Sequence, residues 1–145
     1  MDALTKAILF RSEKFDCTSD LPENDNAGNR LYGGDLAQFL CARLKAKGLD
    51  AGFLDEDWGW LVFGKAAPST SFEIAVYQFS EPDEGSCPGA PEWGLRMQAF
   101  QRRNLLGIWP SKRRIHVPPA IEAAIMDAID EIGASPRAWE EAPPG

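Results

Sequence analysis

Histidine is almost absent from this chain: His116 is the only one in 145 residues. A Cys-His or Ser-His catalytic pair would have to use it, and it stands in an Ile-His-Val-Pro-Pro passage just ahead of a helix, a setting that reads as structural or surface. Cysteine is scarce too. Cys17, Cys41 and Cys87 are widely spaced with no Cys-x-x-Cys pair, which gives neither a disulfide framework nor a metal-ligand spacing. Long apolar runs are missing, none approaching the roughly 18 residues that span a bilayer. The start MDALTKAILF lacks the apolar core and small-residue cleavage site of a signal peptide. A cytoplasmic protein with reduced thiols is therefore expected. The Gly-Lys-Ser/Thr ending of a phosphate loop and the Gly-x-Gly-x-x-Gly of a dinucleotide fold are lacking as well. Gly33 and Gly34 in YGGDL are read instead as letting the chain turn sharply into a helix. The expectation is no cofactor, no metal and no assigned catalytic residue.

Positive charge is also short. Lys and Arg number 15 against 22 Asp and Glu, a formal net charge of -7. Duplex affinity comes chiefly from cations that neutralise phosphates, so a nucleic-acid binder is disfavoured and a basic partner is easier to accommodate. The charge is uneven, however. Arg102, Arg103, Lys112, Arg113 and Arg114 fall in a segment without acids, while Asp127, Asp130 and Glu131 belong to the acidic stretch beyond Pro119. That basic segment, with Trp109 inside it, is the best argument for an anion or nucleic-acid contact, set against self-pairing with the acidic stretch nearby.

What is present is patterned. AILFRSEKF at 7–15 reads as a first strand feeding a polar loop rich in Pro, Asn, Asp and Gly. In the next segment Leu36, Leu40 and Leu44 recur every fourth residue with Ala37 and Cys41 on their face, Asp35 at the start and Gly48 at the stop, which predicts a helix. Trp58, Trp60 and Val62 then alternate with Gly59, Leu61 and Phe63. Beyond a short Pro/Ser turn Phe72, Ile74 and Val76 alternate with Glu73, Ala75 and Tyr77, so the two runs predict an antiparallel hairpin. A further strand is predicted at 92–101. Residues 102–117 fit no single period, because Gly107 and Pro110 interrupt them. Pro118 and Pro119 suit a helix start, and Ile121, Ile125, Ile129 and Ile132 with Ala124 and Ala128 form the second apolar stripe. The pattern is α+β: an antiparallel sheet of about four to five strands with two main helices packed on one face. Residues 1–135 are expected to form one domain and 136–145 a tail that Trp139 could pin down.

The stretch LDEDWGW, 54–60, concentrates the chemistry, running Asp55, Glu56 and Asp57 into Trp58 and Trp60. In an extended chain Asp55 and Asp57 project to one side and Glu56 to the other, so two carboxylates at most converge, too few for a Mg²⁺ or Ca²⁺ site. A carboxyl group beside tryptophan suits general acid-base chemistry, and an enzyme using these acids is one alternative. The other use of the same residues is recognition. Trp58 and Trp60, taken to share one strand face, are either core or an outward platform, with core expected for at least one.

YGGDLAQFLCARLKAKGLDAG together with DEDWGWLV resembles a group of small bacterial proteins in which a Gly-x-x-Leu-Ala-x-x-Leu helix leads into a Glu-Asp-Trp-Gly-Trp strand. The resemblance spans about residues 30–63. It implies that Glu56, Asp57, Trp58, Gly59 and Trp60 form a group signature, and it implies no activity.

The leading expectation is a small cytoplasmic binding protein, of the inhibitor or immunity type, that neutralises a basic protein partner. Its expected surface is Asp55, Glu56 and Asp57 with Asp127, Asp130 and Glu131, anchored by Trp58 or Trp60. The alternatives are a small hydrolase-like enzyme built on the same acids and tryptophans, and a nucleic-acid-linked regulator using Arg102, Arg103, Lys112, Arg113 and Arg114.

Overall fold

The two β-forming runs that flank Pro68 and Ser69 make the centre of the structure, because both carry apolar residues at every second position and a turn short enough to bring them back on themselves. In the computed structural model they are strands within the order β1 (Lys6–Arg11), β2 (Asp25–Asn26), β3 (Asn29–Arg30), α1 (Gly34–Ala46), β4 (Asp50–Glu56), β5 (Gly59–Ala67), β6 (Thr70–Gln78), β7 (Glu92–Leu105), β8 (Trp109–Ile115), α2 (Pro119–Glu131) and β9 (Arg137–Ala138). The structure describes residues 4–15, 25–26, 29–30, 33–56, 58–79, 91–105 and 109–140, with the side chains of 25–26, 29–30, 103–105 and 109–110 left aside. Cys17, Cys87 and Asp57 lie outside the described residues.

The class is α+β, but the sheet is larger than the four to five strands expected. Seven strands join it, in the order β4-β5-β6-β7-β1-β9 with β8 also on β7, and β2 and β3 pair separately. The pairings of this sheet are antiparallel. The additions come from segments whose sequence carries little strand signal. DAGFLDE of β4 holds a glycine and three acids, and WPSKRRI of β8 is basic and contains Pro110. Both pair along one side only, and such a strand tolerates a proline or a row of charges that a central strand would not.

β7 is the organising strand. Its first half pairs β1, from Lys6↔Met97 to Arg11↔Glu92, and its second half pairs β8, from Ala99↔Ile115 to Leu105↔Trp109, along the same edge. β1 and β8 therefore lie end to end beside it. The Arg114 guanidinium donates to the Thr5 hydroxyl, and this bond crosses the junction.

One face of the sheet is built from Trp60, Val62, Phe72, Ile74, Val76, Trp93, Leu95, Met97, Ala99 and Phe10, which the register places side by side. These residues share one core with Leu36, Leu40 and Leu44 of α1 and Ile121, Ile125 and Ile129 of α2. Each of those leucines and isoleucines contributes about 1.5–3 kcal/mol by leaving water. Trp93 is fully buried and satisfies its indole by donating to the Ser12 carbonyl at 3.2 Å. α1 packs against β4 and β5, and α2 packs against α1.

The chain past residue 135, expected to be a tail, continues in contact with the sheet. Arg137–Ala138 pairs Ile8 and Leu9, the Trp139 amide donates to the Ala7 carbonyl at 3.0 Å, and Trp139 is buried. Glu92 pairs with both Arg11 and Arg137, which fastens β9 to the sheet.

Candidate functional site

Glu56 opposes Gly59, so LDEDWGW takes in the end of β4 and the start of β5, with Trp58 between the two strands. This corrects the expectation that Trp58 and Trp60 share a strand face. Trp60 points into the helix-covered core at 7% exposure, whereas Trp58 is 41% exposed and stacks on Tyr77 with ring centroids 5.1 Å apart. Trp60 also explains the two glycines of YGGDL. A Cβ on Gly34 would lie 2.9 Å from the Trp60 ring, and Gly33, at φ 122, sits against Val76, Trp60 and Trp93. The turn into α1 is thus closed by tryptophan and leaves no cradle for a phosphate.

Tyr77, beneath Trp58, belongs to the opposite face of the sheet. The register there lines up Leu54, Leu61, Ala75 and Arg96 in one row and Gly52, Phe63, Glu73 and Gln98 in the next, with Tyr77 beside Gly94. The buried residues of both helices join the core on the other side. An antiparallel sheet with one face in water normally turns polar residues outward. Here Leu54 and Phe63 are each 39% exposed and Phe79 is 44% exposed. Trp58, Tyr77 and Phe79 run as a stacked ridge that Trp139 closes edge-on, 5.4 Å from Tyr77 and 5.2 Å from Phe79. Gln98 lies on this face, 7% exposed, and its Nε2 has no hydrogen-bond partner among the described residues.

No family profile, curated protein or solved structure matches the chain.

Asp55 and Glu56 do not converge. Asp55 opposes Trp60 and is exposed, and Glu56, the next residue along the strand, projects to the other face and is half-buried. His116 follows β8, which is separated from β4 by β7, β6 and β5, about 19 Å at the usual strand spacing. The described residues therefore offer no pocket in which Asp55 or Glu56 meets a histidine. Among them no group of three or more His, Cys, Asp or Glu is placed to hold a metal ion.

The acids of α2 are remote from those of β4, since α1 stands between. Asp127 pairs with Lys47 at 3.4 Å and Glu131 with Arg43 at 3.5 Å, while Asp130 is exposed on the same helix. These solvent-facing pairs contribute little energy. The combined surface expected for Asp55, Glu56, Asp127, Asp130 and Glu131 is not assembled.

Strand alternation divides the basic segment as well. Arg102 opposes Lys112, and Arg114 follows on the same face of β8, whereas Arg113 turns to the other face and donates to Gln101 at 3.5 Å. Arg103 opposes Ser111 through its backbone. Sequence reasoning missed Leu54, Leu61, Tyr77 and Phe79 as surface residues. The signal was there: GWLVF and FEIAVYQF are apolar at both parities, the mark of strands covered on two sides, yet only two helices were available to cover them.

Among the described residues no helix is long and apolar enough to cross a membrane.

Proposed function

We propose that this is a small binding protein whose working surface is the helix-free face of the sheet around Trp58, Tyr77, Phe79, Leu54 and Phe63. The observation that carries the reading is an aromatic ridge left in solvent on strands that are apolar on both faces. Contiguous exposed apolar surface of this kind marks an interaction site, and tryptophan and tyrosine are the side chains that most often anchor one.

The rim favours a basic protein as partner. Glu56, at the end of β4 and on the same face, borders the ridge, and the chain as a whole carries -7. Complementary charge accelerates such an encounter and rejects acidic competitors. An inhibitor or immunity-type protein that neutralises a basic enzyme fits this division between apolar centre and acidic rim. A cytoplasmic setting suits the buried free thiol of Cys41.

Immobilised protein, challenged at moderate salt with a lysate of its source cells, is expected to retain one basic protein in stoichiometric amount. Trp58→Ala and Phe63→Glu should each weaken that retention about tenfold, the loss of one anchor. Retention of nothing, or retention indifferent to both substitutions, overturns the proposal.

A further inference from the structure

At the end of the same face away from the aromatic ridge, the β5–β6 turn and the β7–β8 pair enclose an open cavity of about 400 Å³. Three cations line it: Lys65, Arg102 and Lys112. The sheet register explains why they meet. Lys65 opposes Ser71 across β5 and β6, Arg102 opposes Lys112 across β7 and β8, and strand alternation turns all four side chains to one face. The Arg102 amide donates to the Ser69 carbonyl at 2.7 Å, which ties the turn to β7 and draws the two pairs together. Hydroxyls from Ser69, Thr70, Ser71 and Ser111 fill the remaining wall.

No carboxylate of the described residues lines this cavity. Asp50 and Glu73 border a neighbouring depression, which shares Lys65 and Lys112 with it. Like charges directly opposite on adjacent strands destabilise a sheet, and Arg102 faces Lys112 in that position. Lys112 is held with its ammonium 5.7 Å from the centre of the Phe100 ring, which offsets part of the repulsion without neutralising it. An anion between the two strands would relieve the rest.

We infer that the cavity binds the phosphate group of a small phosphate monoester. A guanidinium, two ammonium groups and several hydroxyls supply donors on several sides of one tetrahedral dianion, the arrangement in which charge-assisted hydrogen bonds are strongest. Its volume lies in the range of about 300–1,000 Å³ that holds small ligands. A long polyanion is the poorer fit, because a chain of net charge -7 repels phosphates beyond the local patch. The inference rests on this cavity alone and stands apart from the protein-binding reading, whose anchors lie elsewhere on the face.

The test is a titration of the isotope-labelled full chain, followed by two-dimensional amide NMR, with inorganic phosphate and with adenosine monophosphate. Saturable shifts are expected at residues 65–71, 102 and 111–112 with a dissociation constant of about 1 mM or tighter. Arg102→Ala should weaken binding about tenfold, while Arg102→Lys retains part of it. An absence of saturation by about 20 mM of either probe overturns the inference, a criterion that needs no variant to fold. A response matched by chloride at equal ionic strength also overturns it. So does binding confined to a DNA oligonucleotide with steep salt dependence, which would mark a nucleic-acid surface instead.

Discussion

The two tryptophans of LDEDWGW do opposite things from positions two residues apart. Trp60→Ala should lower unfolding free energy by about 3–5 kcal/mol, because it empties a core position under α1. Trp58→Ala should cost only about 1 kcal/mol, the worth of its stacking on Tyr77, and urea denaturation of both variants checks the contrast. Equal losses would mean the two rings share one environment. Gly34→Ala forces a methyl against the Trp60 ring and should cost about 1–3 kcal/mol by overpacking, read in the same assay. Period-two alternation put core at one or both of the two tryptophans without saying which. It put Trp58 on the same face because alternation counts residues as if the strand were continuous, whereas β4 ends at Glu56 and β5 begins at Gly59.

Both helices were legible from their stripes, since a leucine or isoleucine every fourth residue has no other economical use. β5 and β6 were legible for the corresponding reason at period two. β4 and β8 were not, because a strand at a sheet edge needs neither alternation nor β-forming residues when its neighbour supplies the order. The sites followed suit. Cations spread over 65, 102 and 112 come together only through pairings that leave no local signal. β9 was hidden by its shortness, yet it holds Trp139 over Gly94 and Tyr77. Deleting residues 136–145 should therefore lower stability by about 3 kcal/mol or more, the scale of losing a buried tryptophan, measured as a shift of the urea midpoint at unchanged slope. No change on deletion would make that segment a true tail.

Among the described residues, both helices cover one face of the sheet and none covers the other. Native protein should bind a hydrophobic fluorescent dye on the bare face, and Leu54→Glu with Phe63→Glu should abolish most of the signal while leaving the thermal midpoint within a few degrees. Dye binding that survives both substitutions would place the accessible apolar surface elsewhere. A net charge of -7 opposes self-association through such a face by mutual repulsion. The strand that organises all this is β7, which takes β1 along one half of an edge and β8 along the other. β1 is synthesised about 80 residues ahead of β7, and its place in the sheet does not exist until β7 has left the ribosome. The nascent protein can zip β4, β5, β6 and β7 in order as each emerges, but its first strand must wait, so closure of the sheet is a long-loop, high-contact-order step. High contact order of this kind slows folding, and until the step is complete the pairing groups of β1 stand exposed.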